Sequence, residues 1–133
     1  MDIYRPDRAK ARMPDQPEYF SGRVHIENLR RPEQAGAAEL IAVFFDPGAR
    51  TIPHIHAVDQ VLVCVEGEGL VVTSADRRSL RAGEIAVVPG GTWHWHGATP
   101  TSSMCHISAR PVGPTDWSAP SRDWETYMQG VLG

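Results

Sequence analysis

Gly48-Ala49-Arg50-Thr51-Ile52-Pro53-His54-Ile55-His56-Ala57-Val58-Asp59-Gln60-Val61-Leu62-Val63-Cys64-Val65-Glu66-Gly67 is the stretch on which the fold turns. In extended backbone, residues i and i+2 face the same side, so His54 and His56 aim together. Gln60 joins them two pleats further on if the strand continues. The run over residues 60–65 is rich in β-branched side chains, as a strand with a buried face requires.

Outward from this stretch, similar short runs recur between turn signals, at residues 19–26, 39–45, 70–73, 85–88 and 103–108. Asp46-Pro47-Gly48, Glu66-Gly67-Glu68-Gly69, Ala75-Asp76-Arg77 and Pro89-Gly90-Gly91 supply the fixed or positive φ that tight hairpins need. Regular short strands at this spacing specify an all-β sandwich or barrel. The first 18 residues, with three prolines and eight charged side chains, show neither β nor helical period. They read as an arm that orders only by packing on something else, such as a second subunit. After Arg110 the pattern changes, and Ser121 followed by Asp123, Trp124, Glu125, Tyr127 and Met128 reads as an N-capped short helix. The chain is thus expected to be one domain over residues 1–133, with an arm at 1–18, a barrel at 19–110 and an extension at 111–133.

Composition narrows the partners. A net charge of -3 offers no broad basic field for nucleic acid or an anionic membrane. No apolar run approaches a membrane helix, and the polar start lacks a signal-peptide stretch, so a cytoplasmic protein is expected. Cys64 and Cys105 lie in apolar runs and read as buried thiols.

Of the six histidines, five concentrate in two tight pairs and one late strand: His54 and His56, His94 and His96, and His106. A second strand bringing His94 across to His54, His56 and Gln60 would complete four ligands for one divalent ion, since imidazole suits first-row metals. His96 shares His94's face and reads as a neighbour of the site or part of its mouth. Trp93 and Trp95 point the other way and should pack. His106 alternates with Met104 and Ser108, and its strand can turn either face inward, so a core histidine and a catalytic base are equally open. His25, isolated in the first strand, reads as structural or exposed.

Gly48-x5-His54-x-His56-x3-Gln60-x6-Gly67 resembles the first motif of the cupin superfamily, and Gly83-x5-Pro89-x-Gly91-x2-His94 resembles the second. The resemblance implies a jelly-roll barrel, the double-stranded β-helix, with a metal on His54, His56, Gln60 and His94. Two positions depart from the family pattern: the usual Glu ligand is Gln60, and the usual Asn of the second motif falls at Ala98. Three imidazoles and an amide leave the ion's charge uncancelled, which favours an anionic ligand. Phe20-Ser21-Gly22-Arg23-Val24, Asp46-Pro47-Gly48-Ala49-Arg50-Thr51, His94-Trp95-His96-Gly97-Ala98-Thr99-Pro100-Thr101 and His106 are similar to the small bacterial cupins that include manganese-dependent hydroxynitrile lyases. That likeness implies His106 as a base, Thr51 as a substrate contact, and Ile41 and Val43 as variable pocket lining.

The expectation is a metal-dependent lyase acting on a small hydroxylated or carbonyl compound, with cyanohydrin cleavage as the specific reaction. The metal would be manganese or iron first, with zinc, nickel, cobalt or copper open. Three alternatives stand beside it: a quercetinase-like dioxygenase; a sugar-acid isomerase-type cupin, with Arg110, four residues beyond His106, holding a carboxylate; and a non-enzymatic metal- or ligand-binding cupin. Cupin relatives commonly dimerise, so a homodimer is expected, its arm crossing to the partner and Tyr19, Phe20, Phe45 and Trp95 contributing to the contact.

Overall fold

The strand at the centre of the molecule is the one the opening stretch begins. In the computed structural model, which describes residues 1–120, β6 runs unbroken over Gln60–Thr73. The short helix expected from Ser121 lies outside the described residues. Ten further strands surround β6: β1 (Phe20–Ser21), β2 (Val24–Arg30), β3 (Ala38–Phe45), β4 (Arg50–Thr51), β5 (Ile55–His56), β7 (Arg77–Arg81), β8 (Ile85–Val88), β9 (His94–Ala98), β10 (Met104–Pro111) and β11 (Thr115–Asp116). The main sheet runs β1-β4-β9-β6-β10-β3-β2, with β7 and β8 also on β6, and every ladder is antiparallel. The first half of β6 pairs with β10 and β8, and its second half with β9 and β7, so one strand serves both walls of an all-β barrel.

Glu66-Gly67-Glu68-Gly69 is therefore not a hairpin turn, as its composition suggested, but the bend at which β6 passes from one wall to the other. Gly67 has φ +76°, and a Cβ there would run into the Ser103 carbonyl, so only glycine lets the strands come this close. The Ala75-Asp76 turn is a hairpin as expected, with Thr73 N–H donating to Asp76 C=O at 2.8 Å.

Alternation sorts the side chains into layers. Val43, Phe45, Leu62, Cys64, Val71 and Met104 form the core inside the barrel. Trp93 and Trp95 pack with Leu70 and Val72 on the opposite face of β9 from its histidines, as the pattern predicts. A third cluster, Ala42, Phe44 and Cys105, lies on the outer face of β3 and β10. The arm covers it: Ala11 packs on the cluster, the Arg8 guanidinium sits 5.0 Å over the Phe44 ring, and Arg12 and Ile26 exchange backbone hydrogen bonds of 2.9 and 2.7 Å. This part of the arm lies on the chain's own barrel. Phe45 and Trp95 are 0% and 1% exposed, which removes both from any subunit contact; strand alternation turned each into a core. The exposed large apolar side chains of the strands are instead Val65, Ile85 and Val87. Both cysteines are buried free thiols. Among the described residues no helix is long and apolar enough to cross a membrane.

Candidate metal centre

His54, His56, Gln60 and His94 converge, but not along one strand. His54 forms an isolated bridge to His94, with backbone hydrogen bonds of 2.9 and 3.1 Å in the two directions, and His56 closes β5. Between them and Gln60 the chain bends through Ala57–Asp59 rather than continuing extended. The bend is pinned by Gly90 N–H donating to Asp59 Oδ1 at 2.9 Å and Gly91 N–H to the His56 carbonyl at 2.7 Å. Gln60 thus arrives as the first residue of β6, and His94 as the first residue of β9.

One ring nitrogen from each of His54, His56 and His94 falls within 4.8 Å of the others. The second nitrogen of each ring is anchored outward. His54 Nδ1 lies 2.8 Å from the Ile52 carbonyl, His94 Nδ1 2.8 Å from the Thr92 carbonyl, and His56 Nδ1 2.7 Å from the Thr115 hydroxyl. A carbonyl can only accept, so it fixes the proton on Nδ1 and leaves Nε2 with a lone pair facing inward. Gln60 Nε2 donates to Ser108 Oγ at 2.9 Å, which turns Oε1 to the cluster, 3.0 Å from His94 Nε2. Two acceptors face each other there with no hydrogen between them, and His56 Nε2 is buried with no hydrogen-bond partner. Such an arrangement is costly unless a cation occupies it, and three imidazoles with one amide oxygen fit a divalent ion.

Burial keeps these rings neutral. It holds His54 well below the ordinary imidazole range, with the charges of His94, His56 and Arg110 adding to the effect, pushes His56 down to about 3 with help from Arg110 and His94, and lowers His94. Neutral imidazole is the form that ligates.

The centre opens into a cavity of about 780 Å³. His106 turns inward: β10 places it opposite Val43 of β3 and Cys64 of β6, and it is fully buried. Its Nε2 lies 2.9 Å from His96 Nδ1, while His106 Nδ1 and His96 Nε2 have no partner. Desolvation pushes His106 down to about 4 and His96 further below its usual range. The Thr51 hydroxyl, also in the lining, accepts from the His96 backbone N–H at 3.2 Å. Ile41 and Val43 line the cavity from β3. Arg110 shares His106's face, but its charge is engaged: Nη2 is 3.2 Å from Glu39 Oε1, and Nη1 donates to the Gly113 carbonyl at 3.0 Å. His25 is half-buried on β2, away from this constellation.

Sequence reading missed three contributors. Thr115 holds His56, and Trp117 stacks on His54 with ring centroids 4.3 Å apart. Tyr19 stacks on Trp117 at 4.2 Å and 3°. Thr115 and Trp117 lie in a proline-containing segment with no periodicity, so only a tryptophan unexplained by any core pattern hinted at a role.

A cupin-domain family profile matches residues 42–108. (R)-mandelonitrile lyase from Granulicella tundricola is 32% identical over 92 residues, which cover 68% of this chain and 70% of that protein. Acireductone dioxygenase from Parasynechococcus marenigrum is 41% identical over 58 residues, 41% of this chain, which therefore spans only 31% of that relative. Among solved structures, a cupin-like protein from Thermotoga maritima superposes with a TM-score of 0.82 at 28% identity, covering 100% of this chain and 99% of its own. The polyketide cyclase RemF from Streptomyces resistomycificus shares the fold at a TM-score of 0.72 and 21% identity, covering 96% and 94%. The profile spans half of a chain whose barrel points three histidines and a glutamine at one spot, and the chain belongs to the cupin family.

Proposed function

We propose that this cupin is a metal-dependent lyase that cleaves a small cyanohydrin into a carbonyl compound and hydrogen cyanide. The observation that carries the reading is a carboxylate-free ligand set placed beside a second, neutral pair of buried histidines in one cavity. A divalent ion on His54, His56, Gln60 and His94 would supply electrostatic stabilisation to an oxyanion or to the leaving cyanide. The likeness to a mandelonitrile lyase over two thirds of the chain supports the same choice.

The protein's own groups can handle the proton. When His106 Nε2 donates to His96 Nδ1, His106 Nδ1 carries a lone pair that no protein group engages. The substrate hydroxyl proton passes to that nitrogen, the carbon–carbon electron pair leaves with cyanide, and the oxygen keeps its electrons as the new carbonyl. His106 then returns the proton to cyanide. The Thr51 hydroxyl, having accepted from the His96 backbone, retains its own proton to donate to the substrate oxygen. Ile41 and Val43 offer an apolar wall to the substrate's side group.

The test is release of benzaldehyde from mandelonitrile by protein reconstituted separately with manganese and iron, alongside acetone cyanohydrin. Turnover that disappears with chelator and returns with metal is expected. No cleavage of either compound above buffer sinks the reading. The acireductone dioxygenase likeness favours one second reading, oxygenation of an enol, which oxygen uptake by the same preparations would reveal. For the sugar-acid reading, Arg110 lines the cavity but would have to hold a carboxylate while already paired with Glu39.

A further inference from the structure

The short strand β11 and the residue that follows it bring two side chains to His54 and His56 from outside the main sheet. It pairs with β5 so that Thr115 lies opposite His56 and Asp116 opposite Ile55. Thr115 Oγ1 is 2.7 Å from His56 Nδ1, and Trp117, two residues on, lays its ring on His54 at 4.3 Å and 27°. Thr115 in β11 and Trp117 just beyond it, spaced i and i+2, thus address His56 in β5 and His54 just before it, also spaced i and i+2. The far face of Trp117 is occupied by Tyr19, which comes from the start of the chain, so the indole is clamped between two rings.

We propose that residues 115–117 form a strap whose Thr115 and Trp117 are positioning residues for the ligand imidazoles His56 and His54. The inference rests on the metal reading above. The case is physical. His54 and His94 have backbone carbonyls to fix their Nδ1 protons, whereas His56 has a side-chain hydroxyl from a separate segment. A ring whose outer nitrogen lacks its partner can rotate or take the wrong tautomer, and either change withdraws Nε2 from the ion. Trp117 restrains the His54 plane by contact area, a role that another flat ring can fill and a methyl group cannot. Replacing such outer partners ordinarily lowers metal affinity about 10- to 100-fold.

The experiment measures affinity for Mn²⁺ and Co²⁺ alone, by competition with a fluorescent chelator, in the full chain and in Thr115→Val, Thr115→Ser, Trp117→Ala and Trp117→Phe. Thr115→Val is nearly isosteric, so it reports the lost hydrogen bond rather than a lost fold. Thr115→Val and Trp117→Ala should bind about tenfold or more weakly, while Thr115→Ser and Trp117→Phe recover most of the affinity. A spectroscopic arm is independent of affinity. An open-shell ion such as Co²⁺, held by His54 against the indole, should quench tryptophan emission in the wild type, and that quench should largely vanish in Trp117→Phe at saturating metal. Wild-type affinity in both Thr115→Val and Trp117→Ala, or an unchanged quench in Trp117→Phe, overturns the strap while leaving the metal centre standing. A wild type that takes up neither ion, matching His94→Ala, overturns the metal reading and the strap with it.

Discussion

Two neighbouring groups of buried histidines differ in what grips the outer nitrogen. His54, His56 and His94 are anchored by carbonyls or a hydroxyl that belong to other groups, so their inner nitrogens converge as fixed acceptors. His96 and His106 grip each other, which fixes only that exactly one of the two facing nitrogens carries the proton. In both groups burial depresses proton affinity. The contrast teaches that desolvation makes a histidine neutral, whereas its outer partner decides whether its inner nitrogen is a fixed acceptor suited to an ion or one of a pair that shares a proton.

The sharpest way to break this contrast is His94→Ala. It removes one ligand and the partner of Gln60 Oε1, and metal binding by competition should fall below detection, while His106→Ala keeps full metal content. Next in size, His106→Ala should lower cyanohydrin turnover by about 10²- to 10⁴-fold, the usual worth of a general acid–base group. Equal metal loss in both variants would erase the distinction.

Acid titration reads the same contrast through stability. His106 titrates at about 4 in the folded chain and near 6.5 when unfolded, so the unfolded state binds the extra proton first as pH drops. The stability difference is fully present above pH 6.5 and disappears as pH falls to about 4, amounting to about 3 kcal/mol for this one residue. Urea unfolding at stepped pH should show that decline, and His106→Leu should make it shallower. The smallest change is Gln60→Glu. The new carboxylate partly cancels the ion's charge, so azide should bind the metal-loaded variant about tenfold more weakly, in a titration of the Co²⁺ form.

Sequence reading reached the barrel and the meeting of His54, His56 and His94 because both rest largely on short-range pattern. His54-x-His56 needs only an extended backbone to aim its two rings together, and the expectation that Trp93 and Trp95 face away from His94 follows from the same alternation. It failed where two effects compete for one signal. Glycines at 67 and 69 signal a turn, yet here Gly67 admits the Ser103 carbonyl and Gly69 the Gly97 carbonyl to a strand that does not stop. Gln60 shares the strand of His56 only if extended backbone continues, and turn hydrogen bonds from Gly90 and Gly91 instead fold the intervening residues into a bend. Arg110 was placed on the correct face, but its pairing with Glu39 depends on the register of β10 against β3, which no local pattern encodes. The inward turn of His106 was undecidable for the same reason, since both faces of its strand are apolar enough to be buried.

The Tyr19–Trp117–His54 stack has a consequence for how such a barrel can diversify. Chain ends are ordinarily where substitutions and length changes accumulate at little expense. Here a ring from each flank of the barrel sequence reaches the cavity wall, so drift in the flanks alters the chamber directly while β6 and β9 keep holding Gln60 and His94. A change at Tyr19 or Trp117 would therefore reshape the cavity wall while the strands that position Gln60 and His94 stay as they are.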